Sequence, residues 1–164
     1  MAKTFVYRIM YFTDLSASGS INRAGMDGSN PVKLVSRLNY PAGITIDVQN
    51  SRLYWTCYGD DKIKSSDLQG RNVQTVLRHR RGSNAWGIGL TRDRIYFTDW
   101  STKKLWSITK TGLDVQLLHI GTTNLLHVSM VPRSGLPRSR TNHCKNHACS
   151  KVCVLTQSSF RCLA

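Results

Sequence analysis

Three stretches of this chain are variants of one another: IMYFTD at 9–14, RLYWTC at 52–57 and RIYFTD at 94–99, with their tyrosines 43 and 42 residues apart. No other feature constrains the fold as strongly, because each copy must build the same unit and stack on its neighbours to bury a core. The residues after each copy repeat as well. An aliphatic residue comes nine or ten positions after the tyrosine (Ile21, Ile63, Leu105), and a glycine lies seven further on (Gly28, Gly70, Gly112). Then come the runs VKLV at 32–35, VQTVL at 73–77 and VQLL at 115–118, while PAGITID at 41–47 and AWGIGL at 85–90 precede the second and third copies.

Each unit of about 42 residues thus predicts four short strands separated by turn residues, the make-up of a β-propeller blade. Within the middle copy Leu53, Trp55 and Cys57 point one way and Tyr54 and Thr56 the other, because side chains alternate across a pleated sheet. Bulky groups on both faces predict burial on both, as for a sheet held between two neighbouring blades. The composition agrees. All nine acidic residues are Asp, no Glu is present, and Gly, Ser, Asn and Asp punctuate the chain, which favours strands and turns over helices. A hydrophobic content of 40% excludes wholesale disorder.

The segment MAKTFVYRIM holds no apolar run of signal-peptide length, and no stretch of these 164 residues is long and apolar enough for a membrane helix. Four of the five cysteines nevertheless crowd into residues 144 to 162 as C-x4-C-x3-C-x8-C, a density that points to disulfides made in an oxidising compartment. The expectation is an exported protein whose signal and membrane segment lie outside these residues.

The motif resembles the YWTD repeats of the low-density lipoprotein receptor family, also present in nidogen. PAGITIDVQNSRLYWT matches that repeat over a whole strand-turn-strand, Met26-Asp27-Gly28 matches its turn between third and fourth strands, and the likeness covers about residues 5 to 131. The resemblance implies a six-bladed extracellular propeller that serves as a binding platform and is followed by an epidermal-growth-factor-like module. About three blades are present. The expected organisation is therefore all-β: a partial propeller at 1–131, a linker at 132–142 and a truncated module at 143–164. The motif aromatics Tyr11, Tyr54, Trp55 and Tyr96 are expected in the core, and in the family the closing Asp is structural, joining polar networks between blades, here Asp14 and Asp99. Cys57 departs from that pattern and predicts the loss of one such contact to a small apolar thiol, buried and unpaired, with a disulfide to another part of the protein as the alternative. No histidine stands in any recognisable relation to Cys57, which argues against a catalytic nucleophile.

The ending NHCKNHACSKVCVLTQSSFRC resembles that small module, and the family pairing implies Cys144 with Cys153 and Cys149 with Cys162. Fifth and sixth cysteines are absent, so the module is expected to be loosely ordered. A zinc set of Cys144, His147, Cys149 and Cys153, with His143, is the competing reading, but it lacks the distant second pair of a structural site. Thr141-Asn142-His143 offers no carboxylate, which argues against calcium. No metal or cofactor is expected.

Up-and-down connection places the loops after the second and fourth strands of every blade at one end. That end holds Arg37 to Tyr40, Tyr58 to Asp61, Arg78 to Asn84 and Trp100 to Lys104, with Trp86 at the start of its inner strand. Aromatics beside cations have the composition of interface hot spots, which makes Tyr58, Trp86 and Trp100 candidate anchors and Arg78, Arg80, Arg81, Lys103 and Lys104 candidate steering charges. The competing reading is that the charges are merely solvated and Trp100 packs on its own blade. A net charge of +14 suits acidic partners, but no nucleic-acid-binding motif is present, so extracellular protein ligands or sulfated glycans fit better. A propeller lactonase would need clustered carboxylates, which a chain with no Glu and scattered Asp does not predict, so no catalytic residue is assigned. A matrix module of the nidogen kind is the runner-up to a cell-surface receptor of endocytic or Wnt co-receptor type. Three blades also leave open sheet faces, which predicts self-association or completion by further chain.

Overall fold

The structure is a computed structural model that describes residues 9–25, 28–79, 84–128 and 130, together with the backbone of 152–155 and 160–163. The chain divides into two compact units, Met1–Met130 and Val131–Ala164. In the first unit β1 (Ile9–Asp14), β2 (Gly19–Gly25) and β3 (Val32–Leu38) form one sheet. A second sheet contains β4 (Pro41–Asp47), β5 (Arg52–Cys57), β6 (Lys62–Asp67) and β7 (Gln74–Arg78). The third contains β8 (Ala85–Leu90), β9 (Arg94–Asp99), β10 (Lys104–Thr109) and β11 (Gln116–Ile120). All three are antiparallel with their strands in chain order, the blade arrangement that the repeat predicts. The motif is the second strand of each four-stranded blade. In the second unit β12 (Val152–Leu155) pairs with β13 (Phe160–Leu163). One 3-10 turn at Tyr58–Asp60 is the only helical element among the described residues.

The repeated glycines sit in the turns between third and fourth strands at φ +82, +77 and +82 for Gly28, Gly70 and Gly112, a region that other residues enter only at a cost. Gly70 and Gly112 are needed twice over. A Cβ on Gly70 would lie 2.7 Å from Cβ of Leu34 on β3, and one on Gly112 would collide with the carbonyl oxygen of Val76 on β7. Each blade's turn therefore rests on the outer strand of the blade before it.

Blade contacts are also made by the motif threonines. Thr13 Oγ1 donates to the carbonyl of Ala42 at 2.8 Å, and Thr56 Oγ1 donates to that of Trp86 at 2.8 Å, each reaching the inner strand of the next blade. Thr56 and Thr98 in turn accept the amides of Gly43 and Gly87 in their own inner strands, both at 2.9 Å. Tyr11 donates to the Leu68 carbonyl at 3.3 Å, and the Lys110 ammonium pairs with buried Asp47. Apolar contacts fill the rest. Ile21, Leu38, Leu53, Trp55 and Cys57 pack between the first and second blades, and Tyr54, Ile63, Ile88, Ile95, Phe97 and Ile108 between the second and third.

Burial on both faces holds for the middle motif, where every residue from Leu53 to Cys57 is buried. It does not hold for β1. Phe12 is 38% exposed and Ile9 42% exposed, because the first blade has a neighbour on one side only.

Candidate binding face

Strand register defines one end of each sheet. Cys57 lies across from Pro41 and from Lys62, and Lys62 lies across from Arg78. Asp99 likewise lies across from Ala85 and from Lys104, and Lys104 from Ile120. The loops 58–61 and 100–103 and the approaches to β4 and β8 therefore share one rim, as up-and-down connection requires. Two backbone bonds hold these loops in the same way in both blades: Tyr58 N to Tyr40 O at 3.0 Å, and Trp100 N to Asn84 O at 3.2 Å.

On this rim the structure brings together the three aromatics singled out from the sequence and adds a fourth. Tyr40, Tyr58, Trp86 and Trp100 form a chain of edge-on contacts, with ring centroids 5.5, 5.8 and 6.4 Å apart in that order. Tyr40 is the most open, at 38% exposure. Its signal in the sequence was its place immediately before Pro41, at the same step ahead of the inner strand as Asn84. Trp86 also borders a cleft of 260 Å³ between the inner strands, lined by Thr13, Ala42, Gly43, Gly87, Leu126 and His127 among others.

The polar groups at the rim explain how the middle blade manages without a motif Asp. In the third blade Asp99 Oδ1 accepts from Asn84 N at 3.2 Å, Ser101 Oγ at 2.9 Å and Thr102 N at 3.1 Å, so it ties the loop after β9 to the residue before β8. Burial pushes the Asp99 carboxyl up, but these hydrogen bonds outweigh it and hold the group below the usual carboxylate range. Cys57 accepts none of these bonds; its thiol is fully buried, and burial pushes its pKa up. Three residues on, Asp60 makes the same kind of tie, accepting from Asn39 Nδ2 at 2.9 Å with Lys62 at 3.2 Å and Lys64 at 3.8 Å. Burial opposes ionisation of Asp60, yet the Asn39 bond and the two ammoniums keep its pKa lowered. Asp14 is exposed at the end of β1, and its side chain makes no hydrogen bond among the described residues.

The candidate charges are dispersed. Arg78 is exposed at the end of β7. Lys103 is exposed and donates to the Thr122 carbonyl at 3.4 Å, and Lys104 lies over the Trp106 ring, 5.7 Å from its centroid, which draws it towards its own blade. Arg80 and Arg81 lie outside the described residues. So do Cys144, Cys149, His143 and His147, and with them one member of each expected disulfide and most of the alternative zinc set. The backbones of Cys153 and Cys162 are directly opposite in the β12–β13 pair. Among the described residues no three His, Cys, Asp or Glu side chains converge on a point that would hold a metal, and no helix is long and apolar enough to cross a membrane. Chemically the rim offers flat apolar surface beside cations.

Residues 8–48 match the family model described as low-density lipoprotein receptor repeat class B. Low-density lipoprotein receptor-related protein 4 of Rattus norvegicus is 37% identical over 73% of this chain, and vitellogenin receptor Yl of Drosophila melanogaster is 28% identical over 91% of it. The chain spans 6% and 8% of those two proteins. Among solved structures, a chain of a nidogen/laminin complex superposes with a TM-score of 0.64 at 26% identity, over 73% of this chain and 47% of that one.

Proposed function

As a chain that belongs to the low-density lipoprotein receptor class B (YWTD) repeat proteins, this one is, we propose, part of the extracellular protein-binding platform of a cell-surface receptor. The contact surface in this reading is the rim of Tyr40, Tyr58, Trp86 and Trp100. The observation that carries it is the edge-on aromatic chain, four rings in series on one rim. Aromatic side chains dominate binding energy where they cluster, and they lose little conformational freedom on contact. The rings supply the apolar anchors, and Arg78, Lys103 and Lys104, with Arg80 and Arg81 in the adjoining loop, supply a positive field that draws acidic partners. Membrane attachment in this reading belongs to other segments of the receptor.

A vitellogenin and heparin are the probes, one for protein ligands and one for sulfated glycans, applied to the immobilised chain. Trp86→Ala should weaken vitellogenin binding by roughly 2 kcal/mol or more if the ring is a hot spot. Replacing Arg78, Arg80 and Arg81 together should mainly slow association, with the effect fading in high salt, because exposed charges are screened over about 10 Å at 0.1 M. Binding by Trp86→Ala equal to that of the parent would move the contact surface elsewhere. Heparin binding without any protein binding would favour the glycan. A second reading, a matrix module, is favoured by the nidogen likeness; binding of a laminin in place of the vitellogenin would support it.

A further inference from the structure

The outer ring of the aromatic chain stands on a backbone step that is unfavourable in itself. Tyr40 lies at φ +50, a region that a residue with a bulky side chain enters only at a cost, and directly ahead of Pro41, which restricts it further. Such a step persists only where its surroundings hold it, and strained positions of this kind gather at binding sites. Backbone bonds hold this one from two sides. Tyr40 N donates to Ser16 O at 2.8 Å in the loop after β1, while Tyr58 N donates to Tyr40 O at 3.0 Å and Gly59 N to Asn39 O at 3.3 Å. In the third blade the equivalent amide, that of Asn84, goes to the motif carboxylate of Asp99. Cys57 leaves the middle blade without that carboxylate, so another side chain must grip the 39–40 step from the loop after β5.

Asp60 supplies that grip, and its two oxygens divide the work. Oδ1 accepts from Asn39 Nδ2 at 2.9 Å, and Oδ2 faces the ammoniums of Lys62 at 3.2 Å and Lys64 at 3.8 Å on β6. The two lysines aim the carboxylate and leave Oδ1 for the amide. Gly59 makes room for the bond: a Cβ there would lie 2.5 Å from Asn39 Oδ1 and 2.6 Å from its Cγ. Because Asn39 precedes Tyr40 and Asp60 stands two residues after Tyr58, the bond spans the two tyrosines whose ring centroids are 5.5 Å apart.

We propose, on the reading above that the rim is the contact surface, that Asp60 is its positioning residue: the bond to Asn39 fixes Tyr40 against Tyr58 and presents the outer end of the ring series in the form that a protein ligand meets. Groups already held in place lose less freedom on contact, and a supporting bond that fails leaves a site present but loose. Asp60 acts through Asn39 and its own loop rather than by touching the ligand. It fills in the middle blade the place that Asp99 fills in the third, from a position three residues later in the chain.

The test uses the full 164-residue chain with a vitellogenin as probe. Near-ultraviolet circular dichroism reads how the rings are held, and the far-ultraviolet spectrum and urea midpoint read the fold. Asp60→Ala and Asn39→Ala should each weaken vitellogenin binding roughly fivefold or more and diminish the near-ultraviolet signal, with the far-ultraviolet spectrum unchanged. The double variant should be no worse than either alone, since both remove one bond. Gly59→Ala removes no polar group and should act in the same direction by pushing the Asn39 amide aside. Asn39→Asp alone sets two carboxylates face to face and should disturb the rings most, whereas Asn39→Asp with Asp60→Asn restores a donor facing an acceptor and should recover both signal and binding. A merely structural tie would lower the urea midpoint and leave the ring signal and affinity of the folded chain unchanged. That result, effects of Asp60→Ala and Asn39→Ala that simply add, or an exchanged pair that fails to recover the ring signal would each overturn the proposal. A ring signal that falls in Asp60→Ala and returns in the exchanged pair, with vitellogenin binding the same throughout, upholds Asp60 as the positioning residue and moves the contact surface away from the rings.

Discussion

Trp55→Ala and Phe12→Ala remove the same motif aromatic from two blades and should differ severalfold in cost. Trp55 is 0% exposed, packed among Ile21, Leu38, Leu53 and Cys57 with Ile44 opposite. A tryptophan buries about 200 Å², which at about 25 cal/mol per Å² amounts to about 5 kcal/mol of transfer free energy. Residual compactness of the unfolded chain trims this, leaving about 3 to 5 kcal/mol, the range of buried aromatic truncations. Phe12 is 38% exposed, has less area to lose and leaves no enclosed cavity, so about 1 to 2 kcal/mol is expected. The assay is urea unfolding followed by far-ultraviolet circular dichroism, at one fixed protein concentration because association would add its own stabilisation. Equal costs for the two variants, or a loss below about 1 kcal/mol for Trp55→Ala, would refute the placement of the middle blade between two neighbours.

Thr56→Val should cost about 1 to 3 kcal/mol in the same assay, because it takes away the hydroxyl that partners both the Gly43 amide and the Trp86 carbonyl in a part-buried site. Gly112→Ala should lower stability by about 2 kcal/mol or more, from the positive φ and from the collision with Val76; a neutral result would mean the turn does not rest on β7. For Asp47, Asp60 and Asp99, burial acts to raise the carboxyl pKa, but bonds from Asn50 and Lys110, from Asn39 and Lys62, and from Thr102, Ser101 and Asn84 leave it lowered. Their stabilisation is complete above the unfolded carboxylate value of about 4 and is lost as pH falls through the lower folded values, so the urea midpoint should drop between about pH 5 and pH 3. The Cys57 thiol has the opposite sense, raised by burial. Its stabilisation is complete below the unfolded thiol value of about 8.5 and is lost as pH rises through the folded one, and Cys57→Ala should reduce the alkaline decline.

Much of the rim was legible. Tyr58, Trp86 and Trp100 follow from strand order alone, since a chain that runs up and down must return its second and fourth strands to one end. Strand order placed Tyr40 at this end too, without singling it out as an anchor, whereas the Asn39–Asp60 tie was not legible, because its partners come from two loops at no fixed spacing. The motif Asp is the instructive case. Asp99 caps two loops of its own blade, Asp14 lies exposed, and the middle blade meets the same need with an Asp three residues displaced from Cys57. A motif position records that a polar tie is wanted near the rim, whereas the side chain that makes it depends on how the loops lie.

Taken by itself, the sequence determined the strands, the turns and their order, because these rest on local chemistry: alternation along six residues, and glycine where φ is positive. Only the tertiary structure decided what each copy of the motif became. Trp55 is core and Phe12 is a surface ring although both occupy the same place in the same repeat, because burial depends on how many neighbours a sheet has. The aromatic chain exists because inner strands approach until a Cβ on Gly43 would lie 2.5 Å from the Trp86 carbonyl. That approach carries Trp86 of one blade against Tyr58 of the blade before, a contact between residues 28 apart that no local pattern encodes.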